Sequence, residues 1–196
     1  RKTRGRNGNR SRSRRGQMAL DRGVGAACAL PALRARSGCA SAGYRVMMII
    51  PGTPEDRDAI LEIIEKSFPA EFGEAWNARQ LESMLALPSV ETLLARQDHR
   101  LSGFAISRTI FDECELLLIA VDPEFRRMGV GGLLLEHMIS QSRDALVAKV
   151  FLEMREGNIA QALYSKFGFK PIGRRAQYYR GNDGECHDAV TLAVIL

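Results

Sequence analysis

Three groups of residues in this chain have types and spacing suited to chemistry: a glycine loop, a carboxylate in a short strand, and a tyrosine on a short helix. The loop is Arg126-Arg127-Met128-Gly129-Val130-Gly131-Gly132, set between an apolar strand and a helix with an apolar face. Glycines 129 and 131 permit backbone torsions and a close approach that a side chain would block. Their amides, with the first N–H groups of the following helix, form a positive pocket suited to a diphosphate. Arg126 and Arg127 add charge at its rim. The loop lacks a Gly-Lys-Ser/Thr ending, so it is not a P-loop. Glycines at 129, 131 and 132 followed by Leu134 do not spell G-x-G-x-x-G, so the dinucleotide fingerprint fails as well. A glycine loop alone is also compatible with a tight strand-to-helix connection; the Asp122-Pro123 exit from the strand makes the phosphate reading more specific.

Glu153 lies in a short strand, Val150 to Met154, where a buried carboxylate would have a raised pKa and suit work as a base. The competing reading is a carboxylate that pairs with an arginine such as Arg155 or faces solvent. Tyr164 offers a hydroxyl proton, but an aromatic on a short amphipathic helix is also an ordinary core residue. Cys114 reads as a buried small apolar residue and His137 as a packing residue on a helix face. Trp76, in the segment Phe72-Gly73-Glu74-Ala75-Trp76, and the pair Tyr178 and Tyr179 are candidates for an acceptor slot with apolar walls. The tyrosines are equally consistent with ordinary strand positions.

The elements that must position these groups follow from patterning. Met48 to Ile50 is a strand ended by Pro51-Gly52, and Thr53-Pro54-Glu55-Asp56 is a helix start with a cap, proline at N1 and acids in the first turn. Ile60, Ile63, Ile64 and Phe68 recur at helical spacing until Pro69. Asn77 caps a second helix with Leu81, Met84, Leu85 and Leu87 on its apolar face. Val90–Arg96 and Leu101–Ile110 read as strands around the turn Asp98-His99-Arg100, and Glu115–Val121 as a strand buried on both faces. A helix from about Gly131 to Arg143, a strand from Lys149 to Met154 and a helix from Ile159 to Phe167 ended by Gly168 come next. Strands near Lys170–Tyr179 and His187–Leu196 flank the turn Gly181–Gly184. The order β-α-α-β-β-β-α-β-α-β-β describes an α/β (α+β) mixed sheet with helices on both faces.

Ile119-Ala120-Val121-Asp122-Pro123 followed by Arg126-x-x-Gly129-x-Gly131 resembles the coenzyme-A signature of the GNAT acyltransferase superfamily. Asn158 with Ala162-Leu163-Tyr164 and Gly168-Phe169 is similar to that superfamily's next motif, and the resemblance covers residues 48–196. Phe151-Leu152-Glu153-Met154-Arg155, Gly173-Arg174-Arg175-Ala176-Gln177-Tyr178-Tyr179 and Asp188-Ala189-Val190 look closest to the ribosomal-protein-alanine N-acetyltransferase branch (RimI type). The resemblance implies a mostly antiparallel central sheet and acetyl-CoA as co-substrate, held by Ile119, Ala120 and Val121, by Arg126 to Gly132, and by Asn158. It implies direct attack by an amine, with Glu153 as base and Tyr164 as the acid that protonates the leaving thiolate. The implied acceptor is a protein N-terminus such as a ribosomal-protein alanine. A small amine or lysine side chain is the alternative, because Phe72–Trp76 departs from the Phe-Pro-Trp-Ser segment common in the family. A non-catalytic module binding coenzyme A or nucleic acid is a third reading. One spacing departs from the family pattern. Five residues, Ile159 to Leu163, separate Asn158 from Tyr164 where six are usual, which counts Gly157 into the asparagine's place.

Charge divides the chain. Residues 1–46 hold twelve basic residues and one acid, Asp21, a net +11, while residues 47–196 hold sixteen basic against twenty-two acidic residues, a net −6. The domain is therefore 47–196, and a basic extension with a composition unable to form a core precedes it. That extension reads as a polyanion-binding arm, as an organelle transit peptide, or as residues upstream of a working start at Met47 or Met48; the last is preferred, because the chain begins with Arg. The four cysteines, at 28, 39, 114 and 186, form no metal or redox motif, so no metal is expected and a reduced, cytoplasmic compartment is the simplest reading. The expected oligomeric state is a monomer or weak dimer, with no membrane partner.

Overall fold

The computed structural model describes residues 46–68, 75–181 and 184–196. Expectations for the basic stretch 1–45 and for Phe72, Gly73 and Glu74 lie outside those residues. Among the described residues no helix is long and apolar enough to cross a membrane.

Seven strands form one sheet. They are β1 (Met47–Pro51), β2 (Val90–Gln97), β3 (Arg100–Ile110), β4 (Glu113–Val121), β5 (Lys149–Arg155), β6 (Lys170–Arg180) and β7 (Cys186–Ile195), in the spatial order β1-β2-β3-β4-β5-β7-β6. Every pairing is antiparallel except β4 with β5. The expected mixed, mostly antiparallel sheet is therefore present, and β7 inserts between β5 and β6.

The helices cover both faces as the patterning predicts. α1 (Arg57–Ser67) and α2 (Ala78–Leu85) bury Ile60, Ile63, Ile64 and Leu81 against Leu94, Phe104, Ile106, Leu118 and Ala120. α3 (Val130–Asp144) buries Leu134, Leu135, Met138 and Ile139 on the other face, against Leu93, Ala95, Ala105, Leu116 and Leu152. α4 (Gln161–Lys166) adds Tyr164 to that second core. Neighbours in β2 and β3 thus point to opposite cores, the period of two expected of a strand. Cys114 and His137 are buried, as packing residues should be.

Local chemistry explains the boundaries. Asn77 Oδ1 accepts from Gln80 N–H and Gln80 Oε1 accepts from Asn77 N–H, both at 2.9 Å, a reciprocal cap on α2. The expected single first helix is divided: Thr53 opens one 3-10 turn, Pro54–Asp56, and α1 starts at Arg57. Leu87 falls beyond α2 and is exposed, contrary to its place on the predicted apolar face. α4 is shorter than the expected Ile159–Phe167, because Asn158 Oδ1 accepts the Ala160 N–H at 2.9 Å and holds the chain in a turn there.

Strand β4 contains the irregularity that matters most. Ile106 pairs with Leu118 but Ser107 with Leu116, so Leu117 is an extra, bulged residue. The bulge reverses the alternation: Cys114 and Leu116 before it, and Ile119 and Val121 after it, all face the α3 core. The strand bends where the residue is inserted. The parallel ladder with β5 ends at that point, at Leu116↔Leu152.

Candidate active site

Beyond Leu116 and Leu152 the two central strands separate. Leu117 to Val121 of β4 and Glu153 to Arg155 of β5 run on without pairing to each other, while each keeps its outer partner, β3 or β7. The gap opens a cavity of about 870 Å³ through the middle of the sheet. Unpaired strand edges of this kind leave N–H and C=O groups available to an extended ligand.

Glu153 alternates with Leu152 and Met154, which are buried in the α3 core, so its side chain is on the α1–α2 side of the sheet. Its carboxylate is 18% exposed and lies 3.3 Å from Arg175 Nε of β6. Arg175 is thus an arginine partner of this carboxylate. Tyr164 comes from the other face: it is 6% exposed, packs in the α3 core and meets Phe169 edge-on at 5.9 Å. Both residues line the same cavity. A carboxylate and a phenol on opposite sides of a gap can serve two reactants that meet inside it.

The glycine loop contributes Arg126 and Gly131 to the cavity wall. Gly129 caps α3 with φ of 85°, a left-handed torsion that favours glycine, and the first intrahelical bond runs from Leu133 N–H to Gly129 C=O at 3.0 Å. The N–H groups of Val130, Gly131 and Gly132 precede that bond and sit at the positive end of the helix. At Gly129 an added Cβ would meet no atom within 4 Å, so its conformation and not crowding calls for glycine. At Gly131 the reason differs: a Cβ would stand 3.2 Å from Leu163 Cδ2, so its absence lets α4 approach α3. The loop's chemistry fits a diphosphate through backbone amides.

Of the predicted coenzyme residues, Ile119, Ala120, Val121, Arg126, Gly131 and Asn158 line the cavity; Arg127, Met128, Gly129, Val130 and Gly132 do not. Val130 is 1% exposed, with its side chain in the core, so only its amide can serve a ligand. Arg126 reaches back, with Nε 3.4 Å from Val121 C=O and Nη2 3.3 Å from Ser67 C=O, which ties the loop to the end of α1. Asn158 and Gly157 both reach the wall, with Asn158 Oδ1 occupied by the Ala160 amide.

Trp76, Tyr178 and Tyr179 all line the cavity, and the two tyrosine rings stand nearly perpendicular with centroids 5.2 Å apart. The Arg175 guanidinium lies 5.0 Å from the Tyr178 ring centre. Sequence reasoning missed Arg175, whose meeting with Glu153 depends on a strand order that no local pattern announces. Among the described residues no group of three or more metal-ligating side chains occurs.

Residues 57–169 match the model of the acetyltransferase (GNAT) family. The chain belongs to the GNAT family. Among curated GNAT relatives, the [ribosomal protein bS18]-alanine N-acetyltransferase of Haemophilus influenzae is 35% identical over 143 residues, 72% of this chain and 93% of that protein. The Escherichia coli K12 protein of the same name is 40% identical over 99 residues, half of this chain. That match spans 66% of the Escherichia coli protein, just under two thirds of its length. The crystal structure of the Escherichia coli ribosomal-protein-S18-alanine N-acetyltransferase superposes with a TM-score of 0.69 at 31% identity, covering 76% of this chain and 94% of that one. Arabidopsis thaliana NAA60, solved in complex with acetyl-CoA, shares the fold at a TM-score of 0.65 and 18% identity, covering 77% of this chain and 99% of that one.

Proposed function

We propose that this chain transfers an acetyl group from acetyl-CoA to the N-terminal amine of a protein, an alanine of a ribosomal protein, in the cytoplasm. The observation that supports this best is the joint placement of Glu153 and Tyr164 on the wall of one cavity, which Arg126 and Gly131 of the glycine loop and Trp76, Tyr178 and Tyr179 also line. Similarity to the Haemophilus influenzae enzyme over 93% of that protein's length favours this acceptor class over others.

On this reading the diphosphate lies on the amides of Gly129 to Gly132, and the thioester arm follows the free edge of β4 along Ile119, Ala120 and Val121. The acceptor enters from the α1–α2 side along Glu153. Glu153 takes a proton from the incoming ammonium, directly or through water, and the neutral nitrogen attacks the thioester carbonyl. The tetrahedral intermediate gives up its second nitrogen proton to water and expels the thiolate, which takes its proton from the Tyr164 hydroxyl; the tyrosinate is then reprotonated from solvent. The products are an amide and a free thiol, with no acyl-enzyme. The ion pair with Arg175 fixes the Glu153 carboxylate before the amine arrives.

The test is an acceptor panel offered to the full chain with acetyl-CoA: peptides beginning with alanine, N-terminally blocked peptides carrying lysine, and polyamines. Preference for the alanine peptides is expected. Exclusive turnover of the polyamines or of the lysine peptides would overturn the acceptor assignment.

A further inference from the structure

Strand β6 contains an irregularity that the reaction above does not use directly. Between the pairs Arg175↔Ala189 and Tyr179↔His187, β6 has Ala176, Gln177 and Tyr178 where β7 has Asp188 alone. Gln177 takes φ of 53°, a left-handed torsion unfavourable for a residue with a side chain. Extra residues in an edge strand leave backbone groups without ladder partners and bend the strand.

Asp188 answers both problems. Its Oδ1 accepts the Gln177 N–H at 2.9 Å and its Oδ2 accepts from Arg174 Nε at 2.6 Å. Arg174 in turn donates to Glu156 Oε2 at 2.8 Å, and the Glu156 N–H donates to the Asp188 carbonyl at 2.8 Å. Glu156 follows β5 directly and precedes Gly157 and Asn158 on the cavity wall. One carboxylate therefore joins the bulge, β7 and the exit of β5. Exposed ion pairs contribute little to overall stability. What this cluster determines is a shape. The residues delivered by that shape are Tyr178 and Tyr179, on the cavity wall, and Arg175, which spans Tyr178 and Glu153.

We propose that Asp188 is a positioning residue for the acceptor: its carboxylate holds the β6 bulge in the form that presents Tyr178 and Tyr179 to the incoming peptide. The inference rests on the N-terminal acetylation reading. It assigns the acceptor and not acetyl-CoA, because β6 is the sheet edge beyond β7 and the coenzyme residues, Asn158 excepted, lie on β4 and from Arg126 into the start of α3.

The experiment compares wild type with Asp188→Ala and Asp188→Asn. Asn keeps an oxygen for the Gln177 amide and loses the charge facing Arg174; Ala loses both. Displacing a positioning wall costs on the order of ten- to a hundredfold. The acceptor KM should rise by that factor in Asp188→Ala and by less in Asp188→Asn, with the acetyl-CoA KM unchanged within about twofold. A parallel rise in both KM values, or no rise in the acceptor KM, overturns the proposal. Hydrogen exchange at the Gln177 amide reads the bulge without any acceptor. It should be protected in wild type and Asp188→Asn and fast in Asp188→Ala; equal exchange in all three overturns the proposal even if the peptide is acetylated. Failure of the wild type to acetylate any N-terminal peptide contradicts the parent reading instead, and does so while the exchange result stands.

Discussion

Replacing Tyr164 by phenylalanine separates chemistry from packing. The ring is 6% exposed and packs edge-on against Phe169 at 5.9 Å, so phenylalanine keeps the buried surface and loses only the hydroxyl. The stability change is therefore limited to one hydrogen-bonding group, about 1 kcal/mol. If the hydroxyl protonates the leaving thiolate, kcat falls by ~10²–10⁴, the usual contribution of a general acid, or about 2.7–5.4 kcal/mol in the barrier. Acetyl-CoA affinity should change little, since the hydroxyl acts on charge that develops only as the C–S bond breaks. Thiol release gives kcat, calorimetry gives acetyl-CoA affinity, and thermal unfolding checks the fold. A variant that folds, binds acetyl-CoA and turns over within about threefold of wild type would refute the argument and leave Tyr164 as a core aromatic.

Four further outcomes test other parts of the account. Gly131→Val sets a branched side chain where even a Cβ meets Leu163 Cδ2 at 3.2 Å, so acetyl-CoA affinity measured by calorimetry should fall, while unchanged binding would remove Gly131 from the coenzyme site. Gly103→Ala drives a Cβ to 2.8 Å from the Ala120 carbonyl and 3.1 Å from Val130, and overpacking of that kind should destabilise by about 1–3 kcal/mol in urea unfolding. Asn77→Ala removes the α2 cap and should cost about 1 kcal/mol by the same measurement. The Gln177 N–H first, and then Arg174, hold the Asp188 carboxyl below its ordinary value. Its stabilisation is therefore fully present above the unfolded pKa of about 3.9 and is lost as pH falls through the lower folded pKa. The stability gap between wild type and Asp188→Asn should close on acidification over that interval, and a gap that stays constant would contradict the assignment.

Much of the site was legible because local rules governed it. The glycine loop announced itself through residue type and its place between strand and helix, and the left-handed torsion at Gly129 is the conformation that such a loop calls for. Asn77 and the Ile60, Ile63, Ile64 spacing were equally plain. The features that escaped are those set by distant partners. The bulge at Leu117 lies in Glu115-Leu116-Leu117-Leu118-Ile119, a run with no polar residue between its leucines to mark a change of face. The reversal of alternation is therefore invisible in composition, although it separates β4 from β5. The β6 bulge depends on Asp188, eleven residues after Gln177 and on another strand. The Glu153–Arg175 pair needs β7 to lie between β5 and β6, an order that hairpin logic alone does not give. α4 came out short because the Asn158 side chain is used by the backbone at Ala160, a choice made by local hydrogen bonding against the helical pattern.

In the proposed mechanism an amine loses its proton to Glu153 inside the gap between β4 and β5. The most direct test is steady-state transfer by Glu153→Gln in the full chain, with acetyl-CoA binding measured alongside. Glutamine preserves the size of the side chain and removes the base. kcat should fall by ~10²–10⁴ at neutral pH with acetyl-CoA affinity unchanged. A variant that retains wild-type kcat on an alanine peptide would contradict it.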